Sequence, residues 1–181
     1  MKCFGTVLLI GAVAGILASC HTASRQAAVP TPEREQVISE ALKELYMAVS
    51  MAPSQSLQQQ KLILRMAQKA TNGRELLLTM RAAVGVFASN AAAGAQTVES
   101  QVRATVTDKM MQLATLDQLI DYAKLYPVDA EHARRLVERM FELGNATTDA
   151  RVWYRIRSVA FHLKEPDLVE QAQVKADQLA R

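Results

Sequence analysis

Glu99 and Ser100 stand side by side, and a glutamate whose carboxyl is kept protonated by its surroundings can donate that proton to a glycosidic oxygen. The simpler role for Glu99 is that of an acid near a helix N-terminus, where the helix dipole favours negative charge. A second group is Arg134, Arg135, Arg139, Arg151, Arg155 and Arg157, which adjacent helices could gather into a face for phospholipid head groups, lipopolysaccharide or an acidic partner. Glu131, Glu138 and Glu142 interleave with them, and Glu131 precedes Arg135 by the four residues that suit a helical ion pair. Tyr122, Tyr126, Trp153 and Tyr154 form the third group. With Arg151 and Arg155 they are the residue types that anchor protein interfaces when exposed. Alternatively, Trp153 fills space between helices beside Val152 and Ile156.

Other chemistries lack their residues. There is no Gly-rich phosphate loop, no Gly-x-Ser-x-Gly elbow and no His-Glu-x-x-His pair, and His21, His132 and His162 are far apart in the chain. The sequence therefore predicts no enzyme activity, no metal and no cofactor. Lys and Arg number 21 against 18 Asp and Glu, so the formal charge of +3 does not call for nucleic acid. Only 7 Gly and 5 Pro occur, and apolar residues do not alternate in short runs, which disfavours strands.

The elements that would position these residues follow an unusual opening. Met1 and Lys2 precede Phe4 to Ile16, an uncharged apolar run shorter than the ~20 residues of a membrane span and followed by no stop-transfer cluster. This is the layout of a secretory signal over residues 1–19. At its end stand Leu17, Ala18, Ser19 and Cys20. In these four residues the chain resembles the bacterial lipoprotein family, whose lipobox is a leucine, two small residues and a cysteine. The resemblance implies that Cys20 becomes the first residue of the mature chain, lipidated on its thiol and acylated on its amine. Cys3 leaves with the signal, so no internal disulfide is expected. His21 stands where enterobacterial lipoproteins kept in the inner membrane carry Asp, which implies the outer membrane, facing the periplasm. Two or three acyl chains would hold the protein there almost permanently, each buried CH₂ contributing ~0.8 kcal/mol.

Residues 20–31 then read as a tether of about 18 Å average span. From 32 to 181 the apolar spacing predicts an all-α domain of stacked helical hairpins, either an α-solenoid or a compact bundle. Thr31, Pro32 and Glu33 look like the start of a first helix over 32–51, with Val37, Ile38, Ala41, Leu42, Leu45 and Val49 on one stripe. Ser54 or Ser56 would cap a second helix carrying Leu57, Leu64, Ala67 and Ala70, closed by Asn72 and Gly73 in left-handed conformations. A third helix is expected over about 74–92, and a fourth from Thr97 or Glu99 with Val98, Val102, Val106, Met110 and Leu113 on one face. Thr115 and Gln118 have the spacing of a capping box that starts the fifth.

Over about 115–181 two hairpins recur. Aligning Pro127 with Pro166 matches Ala130 with Val169, Ala133 with Ala172, Val137 with Ala176 and Met140 with Leu179. The segment from Trp153 through Pro166 to Ala176 resembles a tetratricopeptide repeat, although Arg157 stands where that family has glycine and Val169 where it has a small residue. Glu99-Ser100 likewise is similar to the acid-serine pair of helical lytic transglycosylases, without the Gly-Leu-Met-Gln stretch that follows it there. The expected function is that of an envelope lipoprotein that docks a protein partner and assembles or stabilises a secretion- or conjugation-type complex, as pilotin-like and exclusion lipoproteins do. The alternative is an envelope protein that binds or cleaves peptidoglycan.

Overall fold

A computed structural model describes residues 37–54, 56–88 and 93–181. Among them are eight helices and no strand: α1 Glu40–Met51, α2 Leu57–Lys69, α3 Gly73–Phe87, α4 Ala93–Leu113, α5 Leu116–Leu125, α6 Ala130–Gly144, α7 Ala150–His162 and α8 Pro166–Leu179. The signal, Cys20 and the tether lie outside the described residues.

Short polar turns decide where each helix begins. Ser56, Asn72, Thr115, Asp129 and Asp149 all accept a hydrogen bond from a backbone N–H in the following first turn, which satisfies donors that have no partner within the helix. The capping box forms as expected: Gln118 N–H donates to Thr115 Oγ1 at 3.4 Å, and Thr115 N–H donates to Gln118 Oε1 at 3.0 Å. Pro166 occupies the first turn of α8, where its missing N–H costs nothing.

The helices pair into four antiparallel-type hairpins, α1–α2, α3–α4, α5–α6 and α7–α8. Odd-numbered helices touch the next odd one, and even-numbered helices the next even one, so the hairpins stack as two layers. The all-α, stacked-hairpin architecture expected from the sequence is thus what the described helices form. Between the layers lies one continuous core, in which Leu42, Ile63, Met66, Leu76, Met80, Met110, Leu119, Ile120, Leu136, Met140 and Trp153 are fully buried.

Several boundaries and faces differ from the sequence reading. Val37 to Ser39 are not helical, and α1 starts at Glu40 because Ser39 N–H is held by Glu75 rather than by a turn of helix. Asn72 and Gly73 do not close α2; Asn72 caps α3 and Gly73 is its first residue, and no glycine among the described residues has positive φ. Gly73 is required for space instead. A Cβ there would overlap Gln118 Oε1 and lie 3.0 Å from Ala114 Cα, so the start of α3 approaches the α5 capping box closely. The third helix ends at Phe87 and the fourth begins at Ala93, earlier than Thr97. On α2 the buried positions are Gln60, Ile63, Met66 and Ala67, and Leu57 faces outward.

In the two C-terminal hairpins the matches Ala133 with Ala172 and Val137 with Ala176 hold as buried pairs of positions. The prolines are not equivalent, since Pro127 lies in the loop before α6 and Pro166 is the first residue of α8. Met140 is buried and Leu179 is partly exposed.

The α7–α8 turn is closed by Lys164 with φ of 63°. Glu165 N–H donates to Ala160 O at 2.9 Å and Lys164 N–H to Phe161 O at 3.1 Å, the two bonds of a Schellman turn. Lysine is strained in this left-handed conformation, where glycine is not. Lys164→Gly is therefore expected to stabilise the protein by about 1 kcal/mol and raise its melting temperature by roughly 3 °C. Thermal unfolding monitored by circular dichroism checks this, and a lower melting temperature would contradict the strain.

Candidate functional site

The aromatic residues singled out from the sequence lie mostly inside. Tyr122 is fully buried on α5, and its hydroxyl is 2.6 Å from Thr107 Oγ1 on α4. Burial pushes its pKa up, against the opposing effect of the Thr107 hydrogen bond. Tyr126 ends α5, packs on Tyr122 with ring centroids 5.8 Å apart, and donates to Leu77 O at 3.5 Å. Trp153 meets Phe141 edge-to-face at 5.1 Å and closes the gap between α6 and α7. Gly144 leaves room for this packing, since a Cβ there would come within 2.8 Å of Ile156 Cδ1 and 3.5 Å of Trp153 Cζ2. Tyr122, Tyr126 and Trp153 are thus core residues and offer nothing to a partner. Their apolar bodies are covered because each helix that carries them is packed on both sides within the stack. Tyr154 is partly exposed and donates to Asp177 Oδ1 on α8 at 3.2 Å.

The arginines are at the surface but mostly neutralised. Arg134 bridges α6 to α8 through Asp167 at 2.8 Å and Glu165 at 3.4 Å, and also holds Glu138. Arg155 on α7 pairs with Asp117 on α5 at 2.6 Å, Arg139 with Glu142 at 2.6 Å, Arg151 with Asp149 at 3.3 Å, and Arg135 approaches Asp108 at 3.9 Å. Exposed pairs of this kind contribute little each. Their effect here is to cancel the field that an anion would feel, so the salt-bridged surface is what the structure contains. Glu99 also has its cation: Arg103 Nε and Nη2 both donate to Glu99 Oε1, at 2.8 and 2.6 Å, one turn apart on α4. This is a helix-face ion pair.

His132 Nδ1 is 2.7 Å from Asp129 Oδ1, and His162 ends α7 in the open. Among the described residues no group of three or more His, Cys, Asp or Glu is placed to hold a metal ion. No described helix is long and apolar enough to cross a membrane.

Two features were not singled out from the sequence. One is Phe161, exposed over 76% of its surface on the outer side of α7. With Ser158, His162, Pro166 and Val169 it lines a predominantly apolar groove of about 720 Å³ at the α7–α8 elbow. The Val152–Ile156–Val159–Ala160–Leu163 stripe points the other way, so Phe161 could have been recognised as an aromatic residue off the buried face.

The other is Glu75, a fully buried carboxylate held by hydrogen-bond donors. Ser39 N–H donates to its Oε1 at 2.8 Å, and Thr71 N–H and Thr71 Oγ1 donate to its Oε2 at 2.6 and 2.9 Å. Burial raises its pKa, and the hydrogen bonds from Ser39 and Thr71 together outweigh it, so the carboxyl lies below the ordinary carboxylate range. A lowered folded-state pKa contributes stability above the unfolded value, and that contribution is lost as pH falls through the folded value. Glu75→Gln is expected to cost about 2 to 3 kcal/mol at pH 7, because an amide NH₂ would face the Thr71 donors. Urea unfolding at pH 7 and at pH 3 checks this. The wild type should lose part of its stability in acid while Glu75→Gln loses less, and parallel losses would remove Glu75 from the account.

No family model, curated protein or solved structure matches the chain.

Proposed function

We propose that the chain is a lipid-anchored envelope lipoprotein, held at the periplasmic side of the outer membrane through Cys20, that acts without catalysis as a docking or assembly module for a protein of an envelope complex. The lipobox residues Leu17 to Cys20 support the anchor. The stacked hairpins support docking, since such stacks offer extended surfaces whose side chains come from successive repeats.

The observation that carries the docking part is Phe161. A phenylalanine this exposed beside an apolar groove gives up favourable burial unless a partner covers it, and aromatic anchors in desolvated pockets dominate interface energies. The recognition surface is accordingly placed on the α7–α8 elbow and not on the buried tyrosines and tryptophan.

Two experiments test the parts separately. Cys20→Ser is expected to abolish incorporation of labelled fatty acid and release the protein from the membrane fraction; an unchanged fatty-acid signal would end the lipoprotein reading. A photo-crosslinking residue in place of Phe161 is expected to give one discrete adduct in cells, and the same residue at Asp121, exposed on α5, is expected to give none. Equal yields at both positions would remove the elbow as the docking surface.

A further inference from the structure

Three cations without an ion pair among the described residues stand together on α2. Lys61, Arg65 and Lys69 recur every four residues along α2, which sets them on one side of it. All three are exposed, and none makes an ion pair among the described residues. The α2 sequence contains no Asp or Glu. From Leu45 to Val98 the only acid is Glu75, whose carboxylate is buried and taken up by Ser39 and Thr71. Glu40 and Glu44 lie near the start of α1, and Glu40 is held by Lys43 at 2.6 Å. Lys109 adds a further cation at the C-terminal end of α2, donating to Gln68 O at 2.6 Å and Ala70 O at 3.0 Å.

Apolar groups accompany these cations. Met51 is 81% exposed at the end of α1 and Leu57 is 57% exposed at the start of α2, on either side of one turn, with Met47 exposed one helical turn before Met51. Leu57, Gln58, Lys61, Leu62 and Arg65 line a shallow groove of about 320 Å³. Cations beside uncovered Met and Leu, with no acid on the helix, are the composition of surfaces that lie at phospholipid headgroup depth.

We propose that the outer face of α2, with Met51 and Leu57 at its edge, rests on the anionic phospholipid headgroups of a bilayer. Charge complementarity selects this occupant. So does chain length, in a step that rests on the anchored reading: acylated at Cys20, the chain up to Val37 reaches at most about 60 Å, and the α1–α2 hairpin is the first described element along it. The docking elbow at α7–α8 belongs to the last hairpin, so membrane contact and partner contact occupy opposite ends of the stack.

The test uses the full chain, purified from membranes and reconstituted into protein-free vesicles of phosphatidylcholine alone or with about one-third phosphatidylglycerol. Lysines are acylated with an amine reagent, and the rate at each is read by mass spectrometry. Lys61 and Lys69 are expected to react about five-fold more slowly in the anionic vesicles, with Lys124 and Lys175 unchanged and the difference removed by high salt. Equal rates at Lys61 and Lys69 in both vesicles overturn the proposal, as does equal slowing of Lys124 and Lys175 or protection that survives high salt. Protection seen only in native envelope membranes overturns it in favour of a protein covering this face. Flotation with phosphatidylcholine vesicles reads the anchor separately. A chain that floats there without lysine protection retires the α2 proposal alone, and one that shows salt-sensitive protection in anionic vesicles without floating on phosphatidylcholine retires the anchor alone.

Discussion

A carboxylate taken out of water persists only where other groups replace the hydration it has lost, and Glu75 has three N–H and O–H donors from two separate segments. Thr71 is in the α2–α3 turn and Ser39 precedes α1, so one side chain on α3 fixes where the first helix begins and how the second gives way to the third. The same turn places Asn72 as the cap of α3 and Gly73 against Gln118, which belongs to the capping box of α5. The first hairpin, the α3 start and the α5 start are thereby tied at one place. Tyr126, through its bond to Leu77 O, adds a second link between α5 and α3. The stack is continuous because these polar contacts set the offsets between neighbouring hairpins, and apolar burial, which has no direction of its own, then fills the space between layers.

Local rules with a fixed spacing were legible in the sequence. The Thr115–Gln118 box and the cap at Ser56 both depend on residues within one turn of each other. The buried face of α7, and that of α4 through Val102, Val106 and Met110 but not the exposed Leu113, also follow from period alone. What failed depended on distant residues. Asn72-Gly73 reads as a helix end by its composition, but Glu75 N–H and the approach of Gln118 make it a helix start. The start signals from Thr31 to Glu33 lie outside the described residues; within them, the bond from Ser39 N–H to Glu75 stands just before α1 at Glu40, and no window shorter than the separation of Ser39 and Glu75 contains that information. On α2 the Leu57–Leu64 stripe competes with Gln60–Ile63–Met66/Ala67; a glutamine in the buried register hides the real face.

The candidate site was less legible than the fold, for a related reason. Aromatic and arginine residues are enriched both in cores and at interfaces, so their identity does not say which side of the protein they are on. Tyr122 and Trp153 were drawn inside by the second layer of helices, and Phe161, a less conspicuous residue in the sequence, was left outside by its position on α7. The arginines illustrate the same dependence on neighbours. Asp167 and Asp117 come from α8 and the start of α5, and only the packing of the hairpins brings them to Arg134 and Arg155.

Charge in this protein is consequently distributed in a way that its small net value conceals. In the C-terminal hairpins, acids from the same and adjacent elements meet Arg134, Arg139, Arg151 and Arg155 at contact distance. The N-terminal half has one acid between Leu45 and Val98, and folding consumes it by pointing it at backbone donors. Burying Glu75 therefore does two things at once: it ties the starts of the first and third helices together, and it takes the one acid between Leu45 and Val98 off the surface. Screening limits the reach of an exposed charge to about 10 Å at ordinary ionic strength, so the acids of the distant hairpins cannot compensate for that loss. The first hairpin thus carries cations without a contact ion pair among the described residues beside exposed Met51 and Leu57, and the last hairpins carry ion-paired arginines and an exposed phenylalanine. Two ends of different character suit a protein that stands between two different surfaces.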